Sequence, residues 1–584
     1  MKDTVTLVMI VKNESRDLET CLASVKEQVD EIIIVDTGST DNTWEIARKY
    51  TDKIFTYPWD GNFSSARNYA IGKATGDWLL SLDADEVLLS KPGQLKELIS
   101  RSTKIDAYML PLLYPISEET GEYNQFLILR LFRNKKEYRF EGTIHEQVVV
   151  HHNEVVDSTT ELMIQHNTLS PRERNRKRGR NLAALKKASL LAPQNYFLQY
   201  YLGIEWLGLA KPQLALPFLQ NAYRQLTDDH LLFRAPALRY LLICLHNLGQ
   251  LDEMICLSLE AASQYPEYTD VYYLGGIALE EKKEYALAIK WFDQARQGGT
   301  PPAMYSHMNG TGSYLALYHM GFCYEKLGLT GPAKDCYERA LQENDRYHYP
   351  ASHLFLLLLK EGSPRTTLAY LQEKGYLNNR RLALTIANLF FMAGYPSLAT
   401  ACLAECSTAT EQNDEFLFQL GLYHIYSGRF PGGLHSLKQI PKESNFFPIA
   451  QTHQAIALLL TGRFKTCRSL GLQMWKNKST RITARVILGL TRSLQEGLAA
   501  DLAATRSEVA LINTSLNLLD FCYHYLPDDL DKKSYYHQLV NVLETFLLRT
   551  TPGGNQALAD YYDGKVNNSR ELFAYKFGNG GSKV

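Results

Sequence analysis

The sequence has no excess of one charge and no paired cysteine motif. Lysine plus arginine total 62 and aspartate plus glutamate total 63, so the formal net charge is -1. This balance argues against a protein that binds nucleic acids generally by neutralising their phosphates. The nine cysteines are scattered and form no Cys-x-x-Cys pair, which indicates reduced core thiols and disfavours a zinc site.

The sequence also lacks a targeting or membrane-spanning segment. Met1-Lys2-Asp3-Thr4 leads directly into a strand-like run, and no apolar stretch reaches the ~20 residues that cross a bilayer. We therefore expect a cytoplasmic protein without a membrane span. Neither a Gly-x-Gly-x-x-Gly motif nor a Walker-type lysine loop is present, which disfavours dinucleotide oxidoreductases and P-loop phosphotransferases.

With 584 residues the chain is too long for one core, and its first part has the pattern of an α/β domain with a mostly parallel sheet. Strand and helix signals alternate up to about residue 166. The predicted strands are residues 5–11, 32–36, 53–57, 78–83, 107–112, 126–132 and 161–166, and the predicted helices are residues 15–27, 42–50 and 66–74.

Helical patterning dominates after Ser170, which begins a capping box with proline at the first helical position. Gly321, Ala333, Tyr337 and Ala340 have the offsets of a tetratricopeptide-type helix pair, and sets that begin at Gly276 and Gly203 repeat them. Small residues at 387, 421, 455 and 489 are spaced 34 apart, which is the tetratricopeptide period. We predict an α/β domain over 1–169, a linker helix over 170–195, an all-α repeat solenoid over 196–550, and a partly disordered segment over 551–584.

Four polar residues are expected to converge at one edge of the predicted sheet. The apolar run 77–82 ends in Asp83 and Asp85, Asp36 ends an earlier strand, and Arg67 lies near the start of a helix. The carboxyl ends of parallel strands meet at the crevice where open α/β sheets bind nucleotides, and hard cations prefer carboxylate oxygens. Taken singly, each residue also fits a turn cap or a surface salt bridge.

The motifs that contain these residues resemble family 2 glycosyltransferases with the GT-A fold. They are Val8-Met9-Ile10-Val11-Lys12-Asn13-Glu14, Ile34-Val35-Asp36-Thr37-Gly38-Ser39-Thr40-Asp41, Phe63-Ser64-Ser65-Ala66-Arg67-Asn68 and Asp83-Ala84-Asp85. More narrowly, the chain is similar to bacterial members that carry a tetratricopeptide extension, a set that includes protein and peptide glycosyltransferases. The resemblance covers roughly the first 170 residues residue by residue, and the extension only by type.

The resemblance implies a nucleotide-sugar donor, with UDP as the expected nucleotide, and Mn²⁺ or Mg²⁺ between its phosphates. Asp36 would contact the base, Arg67 the base or the diphosphate, and Asp83 the ribose or the metal. Asp85 would be a metal ligand. The first motif would add Val11, Asn13 and Glu14 to the donor site.

Glu146 is the candidate base, because inverting transfer needs a carboxylate opposite the leaving group. It lies in the polar segment 140–146, which resembles the acceptor side of the family. The family usually has an acidic pair there, whereas this chain has His145-Glu146. The alternative for Glu146 is a salt bridge to Arg139 or Arg133.

Three further features have both a functional and a structural interpretation. His166 ends the last predicted strand and is either a metal ligand or a structural histidine. Trp59 either closes over the donor sugar or anchors its loop, and together with His145 it is assigned to the acceptor side. The basic run 172–180 is interpreted as a solvated helix face, with contact to phosphate or acceptor as the alternative.

A solenoid has a concave surface that suits an extended polypeptide. We therefore expect sugar transfer to a Ser, Thr or Cys side chain of a protein or peptide, such as flagellin or a secreted peptide, held by the repeats. The alternative is a cell-surface glycan or lipid-linked saccharide glucosyltransferase whose repeats mediate assembly, including homo-oligomers. A third hypothesis is an inactive repeat scaffold, which the intact motifs disfavour.

Overall fold

The computed structural model describes residues 3–101, 104–142, 144–150, 155–406, 413–496 and 539–544, with single positions elsewhere between 515 and 559. The predicted partly disordered segment 551–584 lies outside these residues except at positions 556 and 559. The chain divides into two compact units, Met1–Tyr347 and His348–Val584.

A mixed sheet forms the centre of the first unit, with strand order β3-β2-β1-β4-β7-β6-β11-β5. Strands β1 to β4 are mutually parallel, and β7 joins β4 in the antiparallel sense. The strands are β1 (Val5–Val11), β2 (Glu31–Asp36), β3 (Ile54–Thr56), β4 (Trp78–Ser81), β5 (Glu86–Leu89), β6 (Ala107–Ser117), β7 (Glu122–Arg133), β8 (Phe140–Glu141), β9 (Gln147–Val148), β10 (Val156–Ser158), β11 (Met163–His166) and β12 (His307–Met308).

Short helices cover both faces of this sheet: α1 (Leu18–Val25), α2 (Thr43–Ala47), α3 (Phe63–Ile71) and α4 (Gln94–Ser100). Alternate residues of a strand point to opposite faces, so each strand contributes to two apolar cores. Leu7 and Leu80 pack in the core on the α1 and α4 side, whereas Val8 and Leu79 pack in the core on the α3 side.

This architecture confirms the predicted α/β fold and the predicted strands of its sheet. The strands and helices predicted before residue 84 are all present, with α1 starting three residues later than expected. The prediction omitted β5 and α4, which follow directly after the aspartate pair. β5 is a short edge strand that pairs with β11, so its existence depends on a partner distant in sequence.

Helices continue through the rest of the first unit and through the second. They are α5 (Pro171–Leu191), α6 (Tyr196–Gly208), α7 (Pro212–Gln225), α8 (Leu231–Asn247), α9 (Leu251–Gln264), α10 (Thr269–Glu281), α11 (Tyr285–Gly298), α12 (Tyr314–Lys326), α13 (Thr330–Glu343), α14 (Tyr349–Glu361), α15 (Pro364–Glu373), α16 (Arg380–Met392), α17 (Pro396–Cys406), α18 (Asp414–Tyr426), α19 (Phe430–Lys438), α20 (Phe447–Leu460), α21 (Phe464–Trp475) and α22 (Arg481–Glu496). The predicted capping box at Ser170 is present at the start of α5.

The glycine pattern of the repeats reflects close contact between paired helices. A Cβ atom added to Gly276 would lie 2.6 Å from the ring of Phe292, and one added to Gly321 would lie 2.6 Å from the ring of Tyr337. The small residues spaced 34 apart lie in α16, α18, α20 and α22. The helices therefore form tetratricopeptide-like pairs, as predicted.

The repeat helices of the first unit are joined to the sheet domain. The loop after α11 contributes β12, which pairs with the β7 residues Asn124 and Gln125. Arg239 of α8 donates to Asn124 and forms a buried ion pair with Asp270 at 2.6 Å. Residues up to 347 therefore form one compact unit with the sheet. Among the described residues, no helix combines the length and apolarity needed to cross a membrane.

Candidate active site

The parallel strands end at the same edge of the sheet, as the sequence predicted. Val11 of β1 lies opposite Asp36 of β2, and Val8 of β1 lies opposite Ser81 of β4. The loops that follow these strands therefore share one crevice. The candidate residues occupy three clusters along it.

The first cluster contains Asp36 and joins the loops after β1 and β2. Asp36 is buried and accepts hydrogen bonds from the backbone N–H of Ser39 at 3.1 Å and from the indole of Trp44 at 2.8 Å. Asn13 has a φ of 57°, a left-handed conformation that asparagine tolerates, and its side-chain oxygen accepts from the Thr40 N–H at 2.7 Å. The role of Asp36, Val11 and Asn13 in donor binding stays a prediction.

The second cluster is centred on Arg67, which α3 delivers to the crevice. Its Nε donates to Glu146 and its NH2 group donates to Asp83, both at 2.5 Å, and only 8% of the side chain is exposed. Burial alone would lower the pKa of Arg67, but the charges of Asp83 and Glu146 raise it. Three residues predicted separately from the sequence thus form one ion-pair network.

Arg130 of β7 is a second cation of this cluster, which the sequence analysis missed. Its NH2 group donates to Asp83 at 2.9 Å and to Glu86 at 2.6 Å. Burial would raise the pKa of Asp83, but the two guanidinium groups hold it well below its usual range. Burial raises the pKa of Glu86. Its position as the single arginine within the apolar run 126–132 could have indicated a buried cation.

The third cluster is centred on Asp85, whose side chain is 9% exposed. Its Oδ2 lies 2.7 Å from Nζ of Lys177 and 3.4 Å from Nε2 of His166. Lys177 belongs to α5, so the basic run that was interpreted as a solvated helix face contacts a carboxylate of the sheet domain at this position. The same charges affect Glu14. Burial, which is the larger cause, and repulsion from Asp85 raise the pKa of Glu14 to about 7.

The ring of His166 is oriented for a ligand at Nε2. Its Nδ1 lies 2.6 Å from the carbonyl oxygen of Asn167, and the ring packs against Tyr114. Because a carbonyl oxygen only accepts, Nδ1 is the donor in this contact, and Nε2 is the ring nitrogen that faces Asp85. A backbone carbonyl behind the ring is the usual support for a metal-binding histidine.

Asp85 and His166 fit a divalent ion that also binds phosphate. Within the described ranges, no three His, Cys, Asp or Glu side chains are grouped to hold a metal. Both oxygens of Asp83 accept from arginines, which leaves Asp85 and His166 as the two donors. Mg²⁺ and similar hard ions are commonly held by one or two protein ligands together with substrate phosphates and water.

The segment around Glu146 packs against the first repeat helices. Ile144 lies in an apolar cluster with Leu182 of α5 and Leu202 of α6. His145 has a φ of 53° and stacks on Tyr201 of α6, with ring centroids 3.8 Å apart. Burial lowers the pKa of His145 to about 4, so its ring is neutral at pH 7.

Trp59 lies in the loop before α3 and packs edge-on against Phe63, with ring centroids 4.7 Å apart. Its side chain is 40% exposed. The contact agrees with the loop-anchor interpretation and leaves a face of the indole accessible. The acceptor-side roles of Trp59 and His145 stay predictions.

Comparison with known proteins agrees with the predicted α/β domain and its helical extension. Residues 6–158 match the sequence profile of Glycosyl transferase family 2. The N-terminal domain is similar to family 2 glycosyltransferase domains. This domain is followed by tetratricopeptide-like helices, which confirms the resemblance drawn from the sequence motifs.

Two relatives illustrate the extent of the similarity. A TPR repeat-containing protein of Synechococcus elongatus is 45% identical over 146 residues, which are 25% of this chain and 35% of that protein. The SPbeta prophage-derived glycosyltransferase SunS of Bacillus subtilis is 30% identical over 286 residues, which are 46% of this chain and 65% of SunS. The chain thus spans between about a third and two thirds of these relatives.

Solved structures resemble only parts of the chain. Glucosyl-3-phosphoglycerate synthase from Mycobacterium tuberculosis, in complex with Mn²⁺ and UDP-glucose, is 21% identical with a TM-score of 0.17. The similarity covers 20% of this chain and 46% of that chain. It adds nothing to the assignment of site residues.

Proposed function

We propose that the chain is a metal-dependent inverting glycosyltransferase that uses a nucleotide sugar, with UDP as the nucleotide, and a protein or peptide acceptor. The sugar goes to a Ser, Thr or Cys side chain. The observation that carries the proposal is the placement of the Arg67 and Asp85 clusters at one edge of a family 2 glycosyltransferase domain.

The Asp85 cluster is the proposed binding site for the diphosphate of the donor. Asp85 and His166 would hold Mn²⁺ or Mg²⁺, and this ion would neutralise the negative charge of the leaving nucleoside diphosphate. The Asp36 loop follows β2, which is separated from β4 by β1, and it is the proposed site for the base and ribose.

The Arg67 cluster is the proposed site of transfer. Glu146 takes the proton from the acceptor hydroxyl or thiol while that oxygen or sulfur attacks the anomeric carbon. The bond from the anomeric carbon to the diphosphate oxygen breaks on the opposite face, and the electron pair leaves with the diphosphate. Arg67 orients the Glu146 carboxylate through the 2.5 Å hydrogen bond from its Nε.

The acceptor class is supported by the helix pairs that follow the catalytic domain. Repeats of this type present extended surfaces suited to polypeptides. The first of them contact the Glu146 segment through Tyr201 and Leu202, which places repeat helices beside the proposed site of transfer.

The test combines donor turnover with one variant and its control. The full-length protein is incubated with Mn²⁺ and a panel of nucleotide sugars, and released nucleotide is measured together with intact masses of candidate acceptor proteins. Glu146→Gln should bind UDP with unchanged affinity and lose transfer by about a hundredfold or more, since a positioned base contributes ~10²–10⁴. Glu141→Gln, which alters an exposed carboxylate of the same segment, should transfer normally.

Three outcomes contradict the proposal. Absence of both UDP binding and donor turnover would favour an inactive scaffold. Transfer only to saccharide or lipid-linked acceptors would replace the protein acceptor. Normal transfer by Glu146→Gln would assign the base to another residue.

A further inference from the structure

Lys177 joins the first repeat helix to the centre of the catalytic domain. It lies in α5, and its Nζ is 2.7 Å from Oδ2 of Asp85, a residue 92 positions earlier in the chain. The Lys177 side chain is 38% exposed, whereas Asp85 is 9% exposed. The ammonium thus enters the crevice from its solvent side.

The position of Lys177 is fixed by contacts on both sides of it in α5. The capping box of Ser170 and Glu173 sets the start of the helix. Arg178 pairs with Glu205 of α6 at 3.0 Å, and Leu185 is fully buried. Because Leu185 packs in one apolar cluster with Ile144 of the catalytic domain, α5 is held on that domain with Lys177 directed at Asp85.

Asp85 cannot serve a lysine and a divalent ion equally well. The carboxylate oxygen that accepts from Lys177 is also the one nearest to Nε2 of His166. An ion held by Asp85 and His166 would therefore lie where the ammonium now contacts Asp85. Two cations at one carboxylate oxygen repel each other, so the ammonium would need another anion.

The diphosphate of the donor is the nearest anion that the proposed reaction supplies. Phosphate oxygens bound to an ion on Asp85 would be anions beside the Lys177 ammonium, which is now 2.7 Å from that carboxylate. Lysine suits this exchange, because its compact charge lies at the end of a flexible four-carbon chain. Its three N–H groups can donate hydrogen bonds in different directions.

We propose that Lys177 is a donor-binding residue whose ammonium moves from Asp85 to the diphosphate when the metal and the nucleotide sugar bind. There it would stabilise the charge that develops on the leaving diphosphate. This inference rests on the proposed function, and it assigns to the first repeat helix a direct part in donor binding.

If Lys177 only neutralises Asp85, a different result is expected for its substitution. In both cases Lys177→Gln removes a competitor for Asp85, so Mn²⁺ alone should bind more tightly, by up to about fivefold. Only a lysine that contacts the diphosphate should also make UDP bind more weakly at saturating Mn²⁺. The two affinities therefore change in opposite directions under the proposal.

The experiment measures two affinities of the full-length protein by calorimetry, that of Mn²⁺ alone and that of UDP at saturating Mn²⁺. Lys177→Gln should weaken UDP binding about tenfold or more, as expected for loss of a hydrogen bond between charged groups. Lys177→Arg should keep most of the UDP affinity. Lys187→Gln removes the same charge from an exposed position of α5 and should leave both affinities unchanged.

The outcomes separate this inference from the proposed function. If the wild-type protein binds no UDP with Mn²⁺, the proposed function itself fails. If the wild-type protein binds UDP and Lys177→Gln binds it equally well, the inference is overturned while the proposed function stands. Circular dichroism and the melting temperature confirm that each variant is folded. A loss of UDP affinity shared by Lys187→Gln would also overturn the inference.

Discussion

Replacing Arg130 by methionine is expected to destabilise the first unit strongly. Methionine keeps most of the aliphatic length and removes the guanidinium that pairs with Glu86 at 2.6 Å and Asp83 at 2.9 Å. Removing one partner of a buried ion pair costs about 3–5 kcal/mol, because the other charge stays buried without compensation. Since the free energy of unfolding of a native protein is about 5–15 kcal/mol, this loss would be a large fraction of it.

The two carboxylates contribute unequally to that cost. Asp83 is 36% exposed and keeps its hydrogen bond from Arg67, so it retains a cation and some water. Glu86 is 1% exposed and loses its cation. We therefore expect a loss near the lower end of the range, about 3 kcal/mol, with most of it due to Glu86.

A second substitution tests this assignment. In the Arg130→Met background, Glu86→Gln replaces the buried charge by a neutral amide whose oxygen can still accept the Asp83 N–H, now bonded at 2.9 Å. The double variant should recover more than half of the lost stability, because the uncompensated charge is gone. Arg101→Met is the control, since Arg101 also contacts two glutamates but at the surface. It should change stability little.

Urea denaturation followed by tryptophan fluorescence is a suitable assay. Five of the six tryptophans lie in Met1–Tyr347, so the signal reports mainly on the first unit. Equal urea midpoints for Arg130→Met and Arg101→Met would refute the reasoning. So would failure of Glu86→Gln to restore stability.

Three further predictions address metal, pH and packing. Asp85→Ala should abolish metal-dependent transfer and the Mn²⁺ dependence of UDP affinity, and a near-normal rate would contradict the metal assignment. The pKa of His145 is about 4 in the folded protein against an ordinary value of 6.5. The free energy of unfolding should therefore be independent of His145 above pH 6.5 and fall by roughly 3 kcal/mol between pH 6.5 and pH 4, as the unfolded chain takes up the proton. His145→Asn should therefore make the melting temperature depend less steeply on pH between pH 7 and 5. An unchanged pH dependence would show that another group causes it. Gly276→Ala should cost about 1–3 kcal/mol through its clash with Phe292, whereas Gly331→Ala, with open space around it, should not lower the urea midpoint.

The elements that could be predicted from the sequence are those with a strong local pattern. β1 is apolar at six of its seven positions, and the structure places it at the predicted residues, Val5–Val11. The glycine and aromatic offsets of the repeats are also local, because both members of each helix pair lie within about one 34-residue period. β12 has no such pattern, since its two residues become a strand only through pairing with β7.

In the candidate site, too, the residues that follow a general rule could be predicted, and those that depend on distant packing could not. Asp36, Arg67, Asp83 and Asp85 could be grouped because parallel strands bring their ends together by a general rule. Arg130 could not be placed, because it lies on an antiparallel strand whose neighbours depend on the sheet order. Lys177 depends on how α5 packs against the domain, which no pattern within the helix specifies.

The Asp83-Ala84-Asp85 motif illustrates why proximity in sequence does not define a shared role. Ala84 is buried and the Glu86 N–H donates to the Asp83 carbonyl at 3.0 Å, which closes a tight turn between the two aspartates. Asp83 is thereby directed to two arginines that are themselves buried, so its partners cannot leave without exposing unpaired charges. Asp85 is directed to a lysine that is partly in water and can exchange at low cost. The exchangeable cation lies at Asp85, and a divalent ion should therefore compete for Asp85 while Asp83 keeps Arg67 in place for Glu146.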